Sequence, residues 1–372
     1  MTIKTAGSRT LRIEQDKVDF HPQWLRRWRQ DAFSVLPIYL EVSPAGMCNH
    51  RCTFCAPEML GYPNRSLDPA ALGRMFAELQ ELREQDPDGL GVKSIQFAGE
   101  GEPLLYKQLS HIYAQARAAG IDVAMLTNAV ALKRERAEQL LPFVNGWLQA
   151  SINAGCAQTY AKIHRTAVED WQRVWRNMAD TILVRERLGL TAEDVEIGAN
   201  MTVLIDAAYD PEQQIMVPAN WQEMEQLAQQ ASDAGLDYVS FKPYSQHPYS
   251  EKTAALYGGM SYHELISEIT AQGTSIRDRF QTERFEVVFR LTRFQEYEQA
   301  ERSYSRCRAT PTIWSYIQSD GVWISCSAHW TNPSFHLGNI NTQTVREIWF
   351  GERRRQHLDY VLNHLDISIC RK

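Results

Sequence analysis

Long apolar runs are missing from this 372-residue chain. Nothing in it approaches the roughly eighteen consecutive apolar residues that a membrane-spanning helix needs. The opening stretch MTIKTAGSRTLRIEQ also lacks the apolar centre of an export signal, so a cytoplasmic protein with no membrane partner is expected. A strong charge of either sign is missing too. The net charge is -6, with 39 Lys and Arg against 45 Asp and Glu, so no global field draws the chain towards nucleic acid. Two local stretches, WLRRWRQ and GERRRQH, mix Arg with Trp or His; both read as solvated helix faces rather than nucleic-acid contacts. An even cysteine framework is absent as well. Seven cysteines in a chain without an export signal argue against structural disulfides. Internal repeats and low-complexity segments do not stand out.

What is present is a regular alternation. From residue 38 to about 243, short β-branched runs alternate with longer amphipathic ones. The strand-like runs are IYLEV (38–42), VKSIQFA (92–98), DVAMLT (122–127), WLQASIN (147–153), VEIGANMTVL (195–204) and DYVSFKPY (237–244). The helical pattern after the first run starts at Asp68, a good N-cap, with Pro69 at the first helical position. Three helices are expected to stop at Gly120, Gly189 and Gly235. Six strands alternating with helices call for an α/β fold with a parallel sheet, open or closed, whose loops gather at the carboxyl ends of the strands. After Tyr244 come a loop, a helix (SYHELISEITAQG) and a strand (RFEVVFRL). The expected organisation is an N-terminal extension (1–37), a core (38–300) and a small second unit (301–372) with short strands around a Ser319-Asp320-Gly321 turn.

Chemistry concentrates directly after the first strand, in SPAGMCNHRCTFCAPEM. Cys48, Cys52 and Cys55 place three thiolates on one short loop, where they can converge on a single inorganic centre. Soft sulfur donors suit zinc or an iron–sulfur cluster. Zinc would need a fourth ligand, for which His50 is available. A four-iron cluster held by three cysteines leaves one iron open for a small molecule.

The segment resembles the radical S-adenosylmethionine (SAM) superfamily, with C-x3-C-x2-C and Phe54 as the aromatic before the third cysteine. The resemblance implies a [4Fe-4S] cluster whose open iron chelates SAM, and a 5′-deoxyadenosyl radical that abstracts hydrogen from substrate. FAGEGEPLL after the second strand resembles the family's GGEP element, with Gly101, Glu102 and Pro103 matching and Glu100 in place of a glycine. LTNAV resembles the family's TNG element through Thr127 and Asn128, with Ala129 where glycine is usual. Ser151 and Asn153 match positions that often face the ribose and the methionyl carboxylate. Asn200 and Lys242, near later strand ends, are candidates for the same cavity, and for all four an ordinary capping or turn role stays open. Cys156 reads as a small loop or core residue.

Near the C-terminus, Cys307, Gly321 and Cys326 form a C-x13-G-x4-C arrangement that resembles the opening of SPASM and Twitch domains, which carry auxiliary clusters. A hairpin at the Asp-Gly turn would bring two strand positions together. The chain departs from the full SPASM pattern in offering only Cys370 afterwards. These three cysteines are expected to hold one auxiliary [4Fe-4S] cluster, with an open iron or a non-cysteine ligand such as His329.

The resemblance implies a partial (β/α)6 TIM-like barrel followed by a small α+β SPASM/Twitch-like domain. It also implies an enzyme that oxidises or epimerises a small polar metabolite such as a sugar or aminocyclitol derivative. An electron donor such as flavodoxin or ferredoxin is implied as partner, and no catalytic side chain is assigned. Maturation of a ribosomal peptide or another protein is the alternative within the class. A non-catalytic zinc-binding module is the alternative outside it, and an RNA-modifying enzyme stays disfavoured by the charge balance.

Overall fold

The computed structural model describes residues 17–298, 304–368 and 370. The unit boundary expected near residue 300, and the part of the N-terminal extension before residue 17, lie outside these residues. Twelve strands are formed among the described residues: β1 Tyr39–Val42, β2 Ser94–Phe97, β3 Asp122–Thr127, β4 Trp147–Ser151, β5 Glu196–Val203, β6 Ala208–Asp210, β7 Ile215–Val217, β8 Tyr238–Pro243, β9 Glu286–Phe289, β10 Trp314–Ile317, β11 Val322–Ile324 and β12 His336–Asn339. All six sequence-read strands of the core are β1, β2, β3, β4, β5 and β8, and they pair in parallel in that order. β9 extends the row, also in parallel. On the other side of β1, β10 adds in parallel, followed by antiparallel β11 and β12. The result is one ten-stranded sheet whose edges are β9 and β12, beside a separate β6–β7 ribbon.

The register explains why the sequence folds this way. Strands covered on both faces read as near-continuous apolar runs rather than alternations. Accordingly, seven of the eight residues of β5 are buried. The helix Pro69–Gln85 starts where expected: Asp68 Oδ1 accepts from Ala70 N at 3.0 Å, with proline at the first position. It turns Leu72, Met75, Phe76, Leu79 and Leu82 into the core, a spacing of three and four residues that lines one helical face. The helices before β3, β5 and β8 end at Gly120, Gly189 and Gly235, each with φ near +70°, a conformation that L side chains enter only at a cost.

Both basic stretches are used structurally. Arg27 of WLRRWRQ is paired with Asp86 and Asp88, and Trp24 is buried, its indole N–H donating to Leu36 O at 2.8 Å. Arg354 of GERRRQH is fully buried and donates to the carbonyls of Phe33, Trp349 and Pro311 at 3.0–3.2 Å. It stitches the C-terminal helix Glu352–Asn363 to the segment before β1. Arg353 donates to the Pro333 and His336 carbonyls. The same helix buries His357, whose Nε2 lies 2.7 Å from Ser325 Oγ.

Burial, helped by nearby Arg353, holds His357 down to about 4 from its usual 6.5. Between these values the unfolded chain binds the proton and the folded chain does not, so His357 supports folding above about pH 6.5 and loses that support as pH falls towards 4. Urea unfolding midpoints should therefore fall between pH 7 and 4.5, and the fall should be shallower in His357→Asn. An unchanged slope in the variant would contradict this placement.

Candidate iron–sulfur and nucleotide site

The three clustered cysteines lie on the loop that leaves the carboxyl end of β1. Backbone bonds fix that loop at several points. Thr53 N and Arg51 N donate to Ile163 O and His164 O, Cys55 N donates to Cys52 O, and Glu102 N donates to Met47 O at 2.9 Å. All three sulfurs are half-buried and close enough to influence one another electrostatically. Burial pushes the Cys48 thiol up to about 12, with the Glu102 carboxylate adding to the rise. Burial also raises Cys52, with further contributions from Cys55 and Cys48. It raises Cys55 too, against the opposing pull of the Tyr62 hydroxyl. Burial alone therefore disfavours the thiolates, and a bound metal would supply the charge that draws them together.

Around them sit the other sequence-identified residues. Glu102 is buried and accepts from Leu104 N at 3.0 Å, Thr127 Oγ1 at 2.5 Å and Asn128 N at 2.8 Å. Burial still raises its carboxyl above the usual range despite these three bonds. Pro103 opens the short turn Pro103–Leu105 behind it. Gly101 is indispensable by contact: a Cβ there would lie 2.1 Å from Met47 O and 2.6 Å from Ala45 O. Asn128 Nδ2 donates to Asn49 Oδ1 at 2.8 Å and approaches Cys48 Sγ at 4.0 Å. The TNG-like and GGEP-like elements are thus one hydrogen-bonded unit against the cysteine loop. Ala129, where glycine is usual, keeps φ at +60°, which costs an L residue about 1–2 kcal/mol. Asn177 Nδ2 donates to its carbonyl at 2.9 Å and offsets part of that cost.

Phe54 is half-buried and packs edge-on to His164, ring centroids 6.3 Å apart. Ser151 ends β4 opposite Asn200 on β5. Asn153, at φ +57°, is used as a clamp: its Oδ1 accepts from Thr202 N at 2.8 Å. Asn200 is buried and its Oδ1 has no partner. Lys242 is half-buried near the end of β8. Cys156 caps the helix Ala157–His164, its sulfur 3.6 Å from Glu223 Oε1.

Three participants carried no sequence signal of their own. His164 places Nδ1 3.1 Å from Cys52 Sγ and Nε2 2.8 Å from Ile152 O. Tyr62 carries Arg51 over its ring at 4.1 Å. Glu100 accepts from Ser319 N at 3.2 Å and Arg65 Nη2 at 3.3 Å, and also pairs with Ser319 Oγ. Arg65 Nη1 meets Asp320 at 2.8 Å. The residue that replaces a family glycine thus ties the Gly101 turn to the β10–β11 hairpin.

On that hairpin, Tyr316 faces Ile324 and Ile317 faces Trp323, so Cys326 follows β11 while Cys307 lies seven residues before β10. Cys370 accepts from the Tyr304 hydroxyl at 3.4 Å, three residues from Cys307 in the chain. His329 is buried and stacked on Phe335 at 3.6 Å, its Nδ1 without a partner. Burial, with His247 nearby, holds it down to about 4.

Comparison with known proteins assigns both regions. Residues 42–182 match the Radical SAM superfamily, and residues 307–372 match the SPASM iron–sulfur cluster-binding domain. Residues 42–182 are a radical SAM core. These two domains imply a SAM-binding [4Fe-4S] cluster and an auxiliary iron–sulfur cluster, and the first donor set fits: three soft sulfurs on one loop packed against the turn at Gly101. Similar curated proteins include the GTP 3′,8-cyclases of Aeromonas hydrophila (35% identical over 130 residues, 34% of each chain) and Thermodesulfovibrio yellowstonii (41% over 107 residues, 28% of this chain and 32% of that one). The chain therefore spans about a third of the length of the curated relatives it matches. Among solved structures, Streptococcus suis SuiB bound to S-adenosylmethionine is similar at TM-score 0.63 and 15% identity, over 91% of this chain and 72% of that one. Native anSMEcpe with bound AdoMet follows at 0.59 and 15%, over 90% and 89%. No described helix is long and apolar enough to cross a membrane.

The radical SAM core makes one contact directly testable. Gly101→Ala would put its Cβ 2.1 Å from Met47 O and 2.6 Å from Ala45 O, so both carbonyls, and with them the Cys48 loop, must shift. Iron content after anaerobic reconstitution should drop several-fold while far-ultraviolet circular dichroism stays near wild type. Full iron loading would contradict the contact.

Proposed function

We propose that this chain is a radical SAM enzyme acting on a small polar substrate. The observation that carries the reading is that Cys48, Cys52 and Cys55 are electrostatic neighbours on one loop, which packs through the Met47 and Ala45 carbonyls against the Gly101–Glu102 turn at the carboxyl ends of a parallel sheet. When bound, the cluster supplies one electron to cleave SAM, giving a 5′-deoxyadenosyl radical that takes hydrogen from an unactivated carbon. The chain's own residues do the rest. Cys48, Cys52 and Cys55 hold the metal. The Gly101 turn offers its backbone to the methionyl amino group, its missing Cβ letting the turn close against the Met47 and Ala45 carbonyls of the cysteine loop, and the buried Glu102 carboxylate holds that turn and the Thr127–Asn128 peptide in one geometry. Ser151 and Asn200, paired across β4 and β5, together with Asn153 and Lys242 near the same strand ends, would face the nucleotide; the unpartnered Oδ1 of Asn200 is an acceptor ready for a ligand hydroxyl or amine. Phe54 shields the cluster from water.

In the unit beginning near residue 301, Cys307, Cys326 and Cys370 hold an auxiliary cluster, and the open Nδ1 of His329, three residues after Cys326, is available as a fourth ligand. An auxiliary cluster suits removal of an electron from the substrate radical, hence oxidation of a sugar or aminocyclitol derivative. Flavodoxin or ferredoxin serves as reductant. A peptide substrate is the second reading, favoured by the likeness in fold to SuiB, a structure of which is bound to precursor peptide SuiA.

Anaerobic protein reduced with dithionite should convert SAM to 5′-deoxyadenosine, with deuterium from labelled substrate appearing in it. Cys48→Ala, Cys52→Ala and Cys55→Ala should each abolish this. Cys307→Ala and Cys326→Ala should retain uncoupled cleavage but lose product. Undiminished cleavage in the first set would overturn the assignment, and label arriving from a peptide would select the second reading.

A further inference from the structure

Cys52 belongs to a second donor set. His50, Cys52 and His164 each offer one ligand atom, and these atoms lie within 4.8 Å of one another. His164 is oriented for the purpose. Its Nε2 lies 2.8 Å from the Ile152 carbonyl, which can only accept, so Nε2 carries the proton; the 3.5 Å approach of Asn153 Nδ2 is the weaker contact. Nδ1 is then a lone pair, and it faces Cys52 Sγ at 3.1 Å. A histidine whose other nitrogen is anchored on a carbonyl is the usual outer-shell arrangement of a metal ligand.

His50 supplies the independent observation. It is 1% exposed and neither ring nitrogen has a hydrogen-bond partner. Its Nε2 is 3.7 Å from Asp170 Oδ2, beyond hydrogen-bond distance, and that carboxylate already accepts from Thr166 and Arg173. Leaving buried polar atoms unsatisfied is costly, and native proteins rarely keep them without a ligand, water or function. Two imidazoles, one thiol and a nearby carboxylate match the preferences of zinc, a borderline-soft ion without geometric demands of its own. Cys48 and Cys55 stand outside this set: Cys48 accepts from His50 N at 3.4 Å, and Cys55 faces Tyr62.

We propose that His50, Cys52 and His164 form, in the cluster-free chain, a site for one borderline divalent cation such as Zn2+, and that filling it blocks cluster assembly because Cys52 serves both donor sets. On binding, the Cys52 S–H bond breaks, the sulfur pair goes to the metal, the proton leaves to buffer, and water takes the fourth position. Nothing is oxidised or reduced. The site itself does not depend on the radical SAM reading; only the competition with cluster assembly does.

The test uses the full chain, prepared anaerobically and stripped of metal with chelator. Zn2+ titrated against a chromophoric chelator should bind at one ion per chain. Cys52→Ala, His50→Ala and His164→Asn should each weaken binding by more than about tenfold, whereas the double variant Cys48→Ala/Cys55→Ala should keep it. Circular dichroism checks the fold of each variant. Should the histidine variants misfold, Co2+ absorption of the wild type decides alone: the site predicts tetrahedral bands with charge transfer from a single thiolate. Finally, one equivalent of Zn2+ should prevent the brown colour of iron–sulfide reconstitution, and chelator should restore it. Zinc binding that needs Cys48 and Cys55 but neither histidine, charge transfer from three thiolates, or no stoichiometric binding would each overturn the proposal. Failure of the zinc-free protein to take up a cluster would strike the radical SAM reading and leave the zinc result standing.

Discussion

Desolvation of three neighbouring sulfurs is the constraint around which this molecule is arranged. A thiolate in a low-dielectric loop is unfavourable, and each thiolate nearby makes the next worse. Burial and repulsion from its neighbours act in the same direction at Cys52, while at Cys55 the Tyr62 hydroxyl, the Glu58 peptide and Arg51 oppose burial without overcoming it. Opposing hydrogen bonds are worth about 1 kcal/mol each, too little to hold three negative charges together. A polynuclear cation is what reverses the balance, so the loop is built for a metal partner rather than for free thiol chemistry.

The remainder of the site follows from keeping that loop in place. The sheet delivers it at the end of β1, and the adjacent strand ends deliver the Gly101 turn and the Thr127–Asn128 peptide alongside. Glu102 is the pin between them, accepting from both elements while its own N–H holds Met47 O. Glu100 extends the same framework outwards, through Arg65 and Ser319, to the hairpin that leads to Cys326. Because β10 pairs directly with β1, the auxiliary region and the cysteine loop share one rigid sheet.

Much of this was legible in the sequence. Parallel strands covered on both faces leave continuous apolar runs, which is why DVAMLT is β3 to the residue and the other five runs match β1, β2, β4, β5 and β8 within two positions at either end. The cysteine triplet and the GEP turn were legible because local spacing carries their chemistry. The β6–β7 ribbon was not, since three-residue strands have no periodicity to read. Glu100 looked like a mere departure from glycine; its partner is 219 residues away, and no local pattern encodes that. His164, 112 residues from Cys52, was invisible for the same reason, as was the addition of β10 to the core sheet.

Electron paramagnetic resonance of anaerobically reconstituted, dithionite-reduced protein tests the central claim most directly. A cluster gripped by Cys48, Cys52 and Cys55 with one coordination site free should give a reduced-cluster signal whose g values shift when SAM is added, and the Cys48→Ala/Cys52→Ala/Cys55→Ala triple variant should lose that SAM-sensitive component alone. A signal indifferent to SAM, or one that survives in the triple variant unchanged, would contradict the account.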